Sequence, residues 1–344
     1  YESAPRERVR RRTLFLRRLR KEYSMNYIVL DLEWNQSADG KICSNNRIPF
    51  EIIQIGAVKL DENFNEICQF DRYVRPAVYL KLHKKVEELL NVTIEELSEI
   101  GYDFCEVAHD FLEWCGDDYI FCTWGQTDLT ELQRNLDYYK IDYNFPMPFL
   151  FYDLQKLYSL CFQDGKSRIT LKHAIEALGM DELWGYHSAG SDARYTAQIL
   201  KQLDFERVKG FYSVDTHVIP QNKKQEIYLD FGNYQKYVSR GFPDREAAAS
   251  DREVRACRCF KCGKPMKRLI KWFSTNNKSN YGLFLCQEHG MIKGRFRIKS
   301  TDDGIYYAVR IFKFTDEDGA KKIKQRQQKE KEHRRMMRKK ESQL

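Results

Sequence analysis

The apolar positions of the chain first become regular at "YIVLDLEW", where Tyr27, Ile28, Val29 and Leu30 predict a strand running into Asp31 and Glu33. Residues i and i+2 of a strand share a face, so the two acids project together while Leu32 turns into the core. "EIIQIGAVKL" (51–60) is mostly apolar and predicts a central strand, and "ICQFDRYVRP" (67–76) predicts another. The period then becomes helical. Thr93 and Glu96 form a capping box, and Asp103 with Glu106 repeats it ahead of Phe104, Val107, Ala108, Phe111 and Leu112 at helical spacing. "YIFCTW" (119–124) reads as a short buried strand, and Thr127 as the cap of "DLTELQRNLDYY". "ITLKHAIEALGM" predicts a helix stopped by Gly179, and "SDARYTAQILKQL" (191–203) predicts one more. Three strands followed by alternating helices and strands predict an α/β fold, with a mixed sheet and helices on both faces.

These elements place a domain at 25–204. Signals then weaken, and "PDREAAASDRE" predicts a linker over 205–254. Residues 255–315 are strand-like with turn residues, the mark of a small β-rich module, and 316–344 form a basic charged tail, helical or disordered. The first 24 residues stand apart as a basic extension. Met25 is expected to be the true start, with a native basic arm or a fragment end as alternatives.

Charge sharpens this division. Residues 25–250 carry 23 basic against 36 acidic side chains, whereas 251–315 carry 15 against 5 and 320–344 carry 11 against 3. An acidic body with basic flanks suggests that the body coordinates cations and the flanks hold a polyanion. No apolar run approaches the ~20 residues of a membrane span. Arginines interrupt the apolar run nearest the N-terminus, which argues against a secretory signal. A cytoplasmic location without membrane contact is expected. Cys43, Cys68, Cys105, Cys115, Cys122 and Cys161 show no ligand-like spacing and are expected to be buried, reduced thiols.

Three later residues give the opening acids partners. Asp128 lies in the first turn of the helix after "CTWGQT", His187 precedes the helix in "YHSAGSDAR", and Asp192 follows it by five positions. Four carboxylates and a histidine make an oxygen-rich set suited to Mg²⁺ or Mn²⁺. In "DLEW", "TWGQTDLTEL" and "HSAGSDARYTAQIL", taken in order, the chain resembles the DEDDh (DnaQ-like) 3′→5′ exonucleases, and within them the Eri-type exoribonucleases. The likeness covers about 27–203. It implies a ribonuclease H-like mixed sheet flanked by helices, with two Mg²⁺ (or Mn²⁺) held by Asp31, Glu33, Asp128 and Asp192. It also implies that His187 accepts the proton of the attacking water, leaving nucleoside 5′-monophosphates from the 3′ end of a single strand. RNA is expected over DNA. Trp34, Asn35 and Gln36 depart from the small or hydroxylated residues common there, and Trp34 offers a ring either for the terminal base or for packing on the sheet edge.

The basic region has its own chemistry. Cys259-x2-Cys262 and Cys286-x2-His289, each followed by glycine, have the spacing of a four-coordinate structural zinc site, a zinc ribbon holding one Zn²⁺. Cys257 competes for a ligand position. In "KGRFRIKS", Lys293, Arg295, Arg297 and Lys299 alternate with apolar residues and predict a cationic strand face for nucleic acid. Two alternatives stay open: a DNA-trimming exonuclease, and a non-catalytic scaffold that binds nucleic acid through the ribbon. The ribbon or tail also offers a surface for a protein partner.

Overall fold

In a computed structural model that describes residues 25–40, 43–90, 92–185, 187–275 and 279–341, the first strand, β1 (Asn26–Asn35), is amphipathic in an unusual way. Its two faces enter different cores. Ile28, Leu30 and Leu32 pack with α-helical residues Phe104, Phe111, Leu129 and Leu136, whereas Val29 packs with Leu157, Ala193, Tyr195 and Ile199. Each such fully buried large side chain contributes about 1.5–3 kcal/mol. The basic extension expected over 1–24 lies outside the described residues.

The described residues divide into one unit ending at His217 and another beginning at Val218. The first unit runs β1, β2 (Glu51–Leu60), β3 (Glu66–Tyr73), α1 (Lys84–Leu90), α2 (Ile94–Ile100), α3 (Phe104–Cys115), β4 (Tyr119–Thr123) and α4 (Thr127–Tyr139). It continues with β5 (Leu150–Asp153), α5 (Leu154–Phe162), α6 (Leu171–Ala177), α7 (Ala189–Gln202), α8 (Phe205–Val208) and β6 (Ser213–Val214). Its sheet has the order β3-β2-β1-β4-β5-β6. β1 is antiparallel to β2 and parallel to β4, which is parallel to β5. This is the mixed α/β sheet with helices on both faces that the sequence predicts.

Local chemistry explains the boundaries. Thr93 and Glu96 form the reciprocal capping box of α2. Asp103 caps α3 through the Cys105 N–H, without the reciprocal bond expected from Glu106. Thr127 is already the first residue of α4, and Gln126 precedes it without a side-chain cap.

The second unit carries β7 (Ile227–Asp230), β8 (Tyr234–Val238), α9 (Arg245–Ser250), β9 (Lys267–Thr275), β10 (Ser279–Cys286), β11 (Gly290–Ser300), β12 (Tyr306–Phe314) and α10 (Glu317–Glu341). Its six strands pair antiparallel in the order β7-β8-β12-β11-β10-β9. The stretch 205–254 is therefore not the linker expected. It gives β6 to the first sheet and β7, β8 and α9 to the second unit. The hairpin signal was present in "EIYLDFGNYQKYV", two alternating runs around a Gly-Asn turn. One face of this sheet buries Tyr237, Phe284, Phe296 and Phe312 around Trp272, with the Arg310 guanidinium stacked 4.6 Å from the Tyr237 ring and 4.7 Å from that of Phe312. The tail is helical and docks through Ala320 and Ile323 on Ile270 and Leu283 of the opposite face. Among the described residues no helix is long and apolar enough to cross a membrane.

Candidate active site and metal centres

The acids sit where β1 loses a neighbour. Its pairing with β4 ends at Val29↔Cys122, while its pairing with β2 continues through Asp31↔Gly56 and Glu33↔Gln54. Beyond Val29 the edge of β1 lies open at the carboxyl ends of the parallel strands β1, β4 and β5, where open α/β sheets place their ligands. There the Asp128 carboxylate, in the first turn of α4, accepts the backbone N–H of Leu32. A register shift between Glu33 and Trp34 ends the regular ladder directly after the acids.

Asp192 arrives from the other side. α7 crosses β2 so closely that a Cβ on Gly56 would lie 2.0 Å from the carbonyl carbon of Ala189, a distance only glycine permits. One carboxylate oxygen from each of Asp31, Glu33 and Asp192 then lies within 4.8 Å of the others. Asp128 stands outside that trio but close enough for its charge to act on Asp31. His187 is exposed, in the left-handed region at φ +64°, and its backbone N–H donates to Asp192.

Burial and like charge together disfavour ionisation here. Asp31 is pushed well above the usual carboxylate range, first by burial and then by the charges of Asp128, Asp192 and Glu33. Burial, with repulsion from Asp192 and Asp128, pushes Glu33 up to about 8. Burial raises Asp128 to about 7 and Asp192 to about 6, against the opposing pull of their N–H donors. Among the described residues no lysine or arginine forms an ion pair with any of the four. Asp192 Oδ1 is buried without a hydrogen-bond partner. Such a set is short of positive charge, and its all-oxygen donors fit Mg²⁺ or Mn²⁺.

The second unit brings Cys259, Cys262, Cys286 and His289 together. Cys259 Sγ and Cys286 Sγ each lie 3.7 Å from His289 Nδ1, and Cys262 Sγ lies 3.7 Å from Cys286 Sγ. A tetrahedral site with bonds of ~2.3 Å has edges of ~3.8 Å, so the donor set fits Zn²⁺. Cys257 is outside the cluster, with its thiol on the Arg255 carbonyl. The six other cysteines are free, yet only Cys115 and Cys122 are buried and Cys43 is exposed, which corrects the expectation of uniformly buried thiols.

Trp34 is half-buried against the core, its ring 5.8 Å from that of Phe50. On β11 the predicted alternation holds, but α10 shares the cationic face. Lys293 and Arg295 are half-buried there, beside the Arg326 that stacks 4.4 Å over Tyr281, while Arg297 and Lys299 are exposed. Sequence reading passed over Gln54, Gly56, Asp71 and Gly190, which seat α7. Gln54 had a signal, a polar residue in the middle of an apolar strand.

The family model described as RNase_T, exonuclease, matches residues 28–200, half of the chain and all five candidate residues of the acidic site. Among solved structures, the chain is similar to the nuclease domain of 3′hExo, a DEDDh family member, bound to rAMP. That match has 20% identity over 56% of this chain and 98% of the other, with a TM-score of 0.46. It is also similar to a 3′-exonuclease recognising the histone mRNA stem-loop (18%, 58% and 94%, 0.46). A third is E. coli exonuclease I in complex with a dT13 oligonucleotide (16%, 58% and 45%, 0.42). No curated protein matches the chain at a significant level.

Each of the two sites has a measurable consequence. The raised carboxylates bind protons more tightly folded than unfolded, so without Mg²⁺ their contribution to stability is complete below about pH 4. It is lost as pH rises through about 6 to 8. The Tm of the zinc-replete, Mg²⁺-free protein should fall across that window, and saturating Mg²⁺ should flatten the fall. A Tm that climbed with pH in Mg²⁺-free buffer would contradict this. For the second site, elemental analysis should find one Zn²⁺ per chain, and Cys259→Ser or Cys286→Ser should lose it and unfold the second unit. Freshly reduced protein without zinc would remove the metal from that cluster.

Proposed function

The chain belongs to the RNase_T exonuclease family, and from that premise we propose that it is a metal-dependent 3′→5′ exonuclease of single-stranded nucleic acid, preferring RNA. One observation carries the reading: three carboxylates from β1 and α7 converge within 4.8 Å with no basic partner among the described residues, beside a fourth on α4. Such a cluster is costly unless cations neutralise it. Two Mg²⁺ or Mn²⁺ bound there would polarise the scissile phosphodiester and stabilise the attacking and leaving oxygens. Asp31, Glu33, Asp128 and Asp192 would hold them.

The remaining steps belong to side chains. The Leu32 N–H fixes the Asp128 carboxylate, and the docking of α7 on Gly56 fixes Asp192. His187, at the exposed rim, takes the proton of the attacking water as its oxygen bonds to phosphorus; the P–O3′ bond breaks, the O3′ of the shortened strand takes up a proton from solvent, and a nucleoside 5′-monophosphate leaves. The half-exposed ring of Trp34 gives the terminal base a surface to stack on. RNA preference rests on the Eri-type likeness of "TWGQTDLTEL" and "HSAGSDAR".

With Mg²⁺ present, a 5′-labelled RNA should shorten one nucleotide at a time, and a 3′-labelled one should release its label first as a mononucleotide. Asp31→Asn should stop turnover, and His187→Ala should slow it by about 10²–10⁴-fold. Loss of the 5′ label first, or wild-type turnover in either variant, would contradict the assignment. For substrate holding, Arg297→Ala with Lys299→Ala should weaken binding of a long single strand and lower its salt slope by ~0.7 for each phosphate no longer neutralised. Affinity and slope both unchanged would make that face a solvated one, and a protein partner the better use for it.

A further inference from the structure

The segment that carries His187 enters α7 without a side-chain cap. His187 occupies the left-handed backbone region at φ +64°, where a non-glycine residue is strained. Ser188, the N-cap of α7, makes no side-chain cap to the helix. An N-cap normally satisfies one of the free N–H groups of the first turn. Here a residue 134 positions away along the chain is bonded to the Ser188 hydroxyl.

That residue is Gln54 of β2, buried and directly opposite Glu33 in the strand register. Its Nε2 donates to Asp71 Oδ1 of β3 at 2.8 Å and to Ser188 Oγ at 3.2 Å, and its Oε1 accepts the Ala189 N–H at 3.1 Å. Asp71 accepts only and the Ala189 N–H donates only, so the amide has a single workable orientation. Asp71 is in turn wedged against the start of α7, since a Cβ on Gly190 would fall 2.2 Å from its Oδ2. The amide thus joins the strand facing Glu33 to the two residues that follow His187.

We propose that Gln54 is a positioning residue: its side chain sets where His187 stands relative to Glu33 and Asp31, and so acts on the chemical step through His187. This rests on the exonuclease reading above. A buried amide that merely satisfied its own hydrogen bonds would affect folding but not the worth of the histidine. A shift of about 1 Å in a catalytic group costs about 10²-fold in rate.

The test is a double-mutant cycle in turnover on the full chain. Gln54→Met keeps the volume and removes every bond, and kcat should fall about 10–10²-fold with KM changed by less than about 3-fold. In the His187→Ala background the same substitution should cost less than about 3-fold, because the group it positions is gone. Gln54→Glu combined with Asp71→Asn reverses the polarity of the bond but keeps an acceptor for Ala189, and should recover most of the loss. It also serves as the deciding variant should Gln54→Met fail to fold. Equal losses in both backgrounds, a Gln54→Met enzyme with wild-type kcat, or no recovery in the reversed pair would overturn the proposal. Wild-type turnover in His187→Ala would instead overturn the role given to His187, a result distinguishable because it does not involve Gln54.

Discussion

The constraint on which the first unit turns is the crowding of like charge at the open end of β1. A strand whose one face feeds the core through Leu30 and Leu32 must turn Asp31 and Glu33 to the other face, and α7 brings Asp192 to that face. Burial and mutual repulsion both disfavour the ionised acids, and each element around them is fixed by something else. The pairing of β1 with its parallel neighbour β4 stops at Cys122, the glycine at position 56 lets α7 approach, and two hydrophobic cores clamp β1 from both faces. The cores supply the stability that allows a repulsive cluster to persist, and cations would remove the repulsion.

The second unit solves a different problem. Its sheet buries one face around Trp272 and the stacked Arg310, and its two knuckles meet through Cys259, Cys262, Cys286 and His289, with Met266, Phe260 and Phe314 packed beside them. A metal staple suits so small a core. The opposite face is divided: α10 covers part of it through Ala320 and Ile323, and the cationic residues at the far end of β11 stay exposed. Attraction for a polyanion would come from here, since the first unit is predominantly acidic.

Local chemistry was legible in the sequence, and long-range docking was not. Period-two spacing placed Asp31 and Glu33 on one face, the Thr93 capping box formed as read, and the Cys/His spacing brought four candidate metal donors together. The seat of α7 could not be read, because Gln54, Gly56, Asp71 and Gly190 matter only through residues more than a hundred positions away or on another strand. β7 and β8 were missed because they are only four and five residues long, too short for their alternation around the Gly-Asn turn to outweigh the polar stretch that follows. α10 docks through only two apolar side chains in a highly charged segment, too few to separate a packed helix from a solvated tail. For the same reason the covering of Lys293 and Arg295 was invisible beforehand.

The claim that the carboxylates are arranged to hold cations can be tested most directly by calorimetric titration of Mn²⁺ into zinc-replete protein near pH 7, repeated in buffers of different ionisation heat. Carboxylates held above their usual range must release protons as a cation binds, so the apparent heat should depend on the buffer and report net proton release. Asp31→Asn should lose most of that signal. Tight binding with no proton release, or release unaffected by Asp31→Asn, would contradict the account.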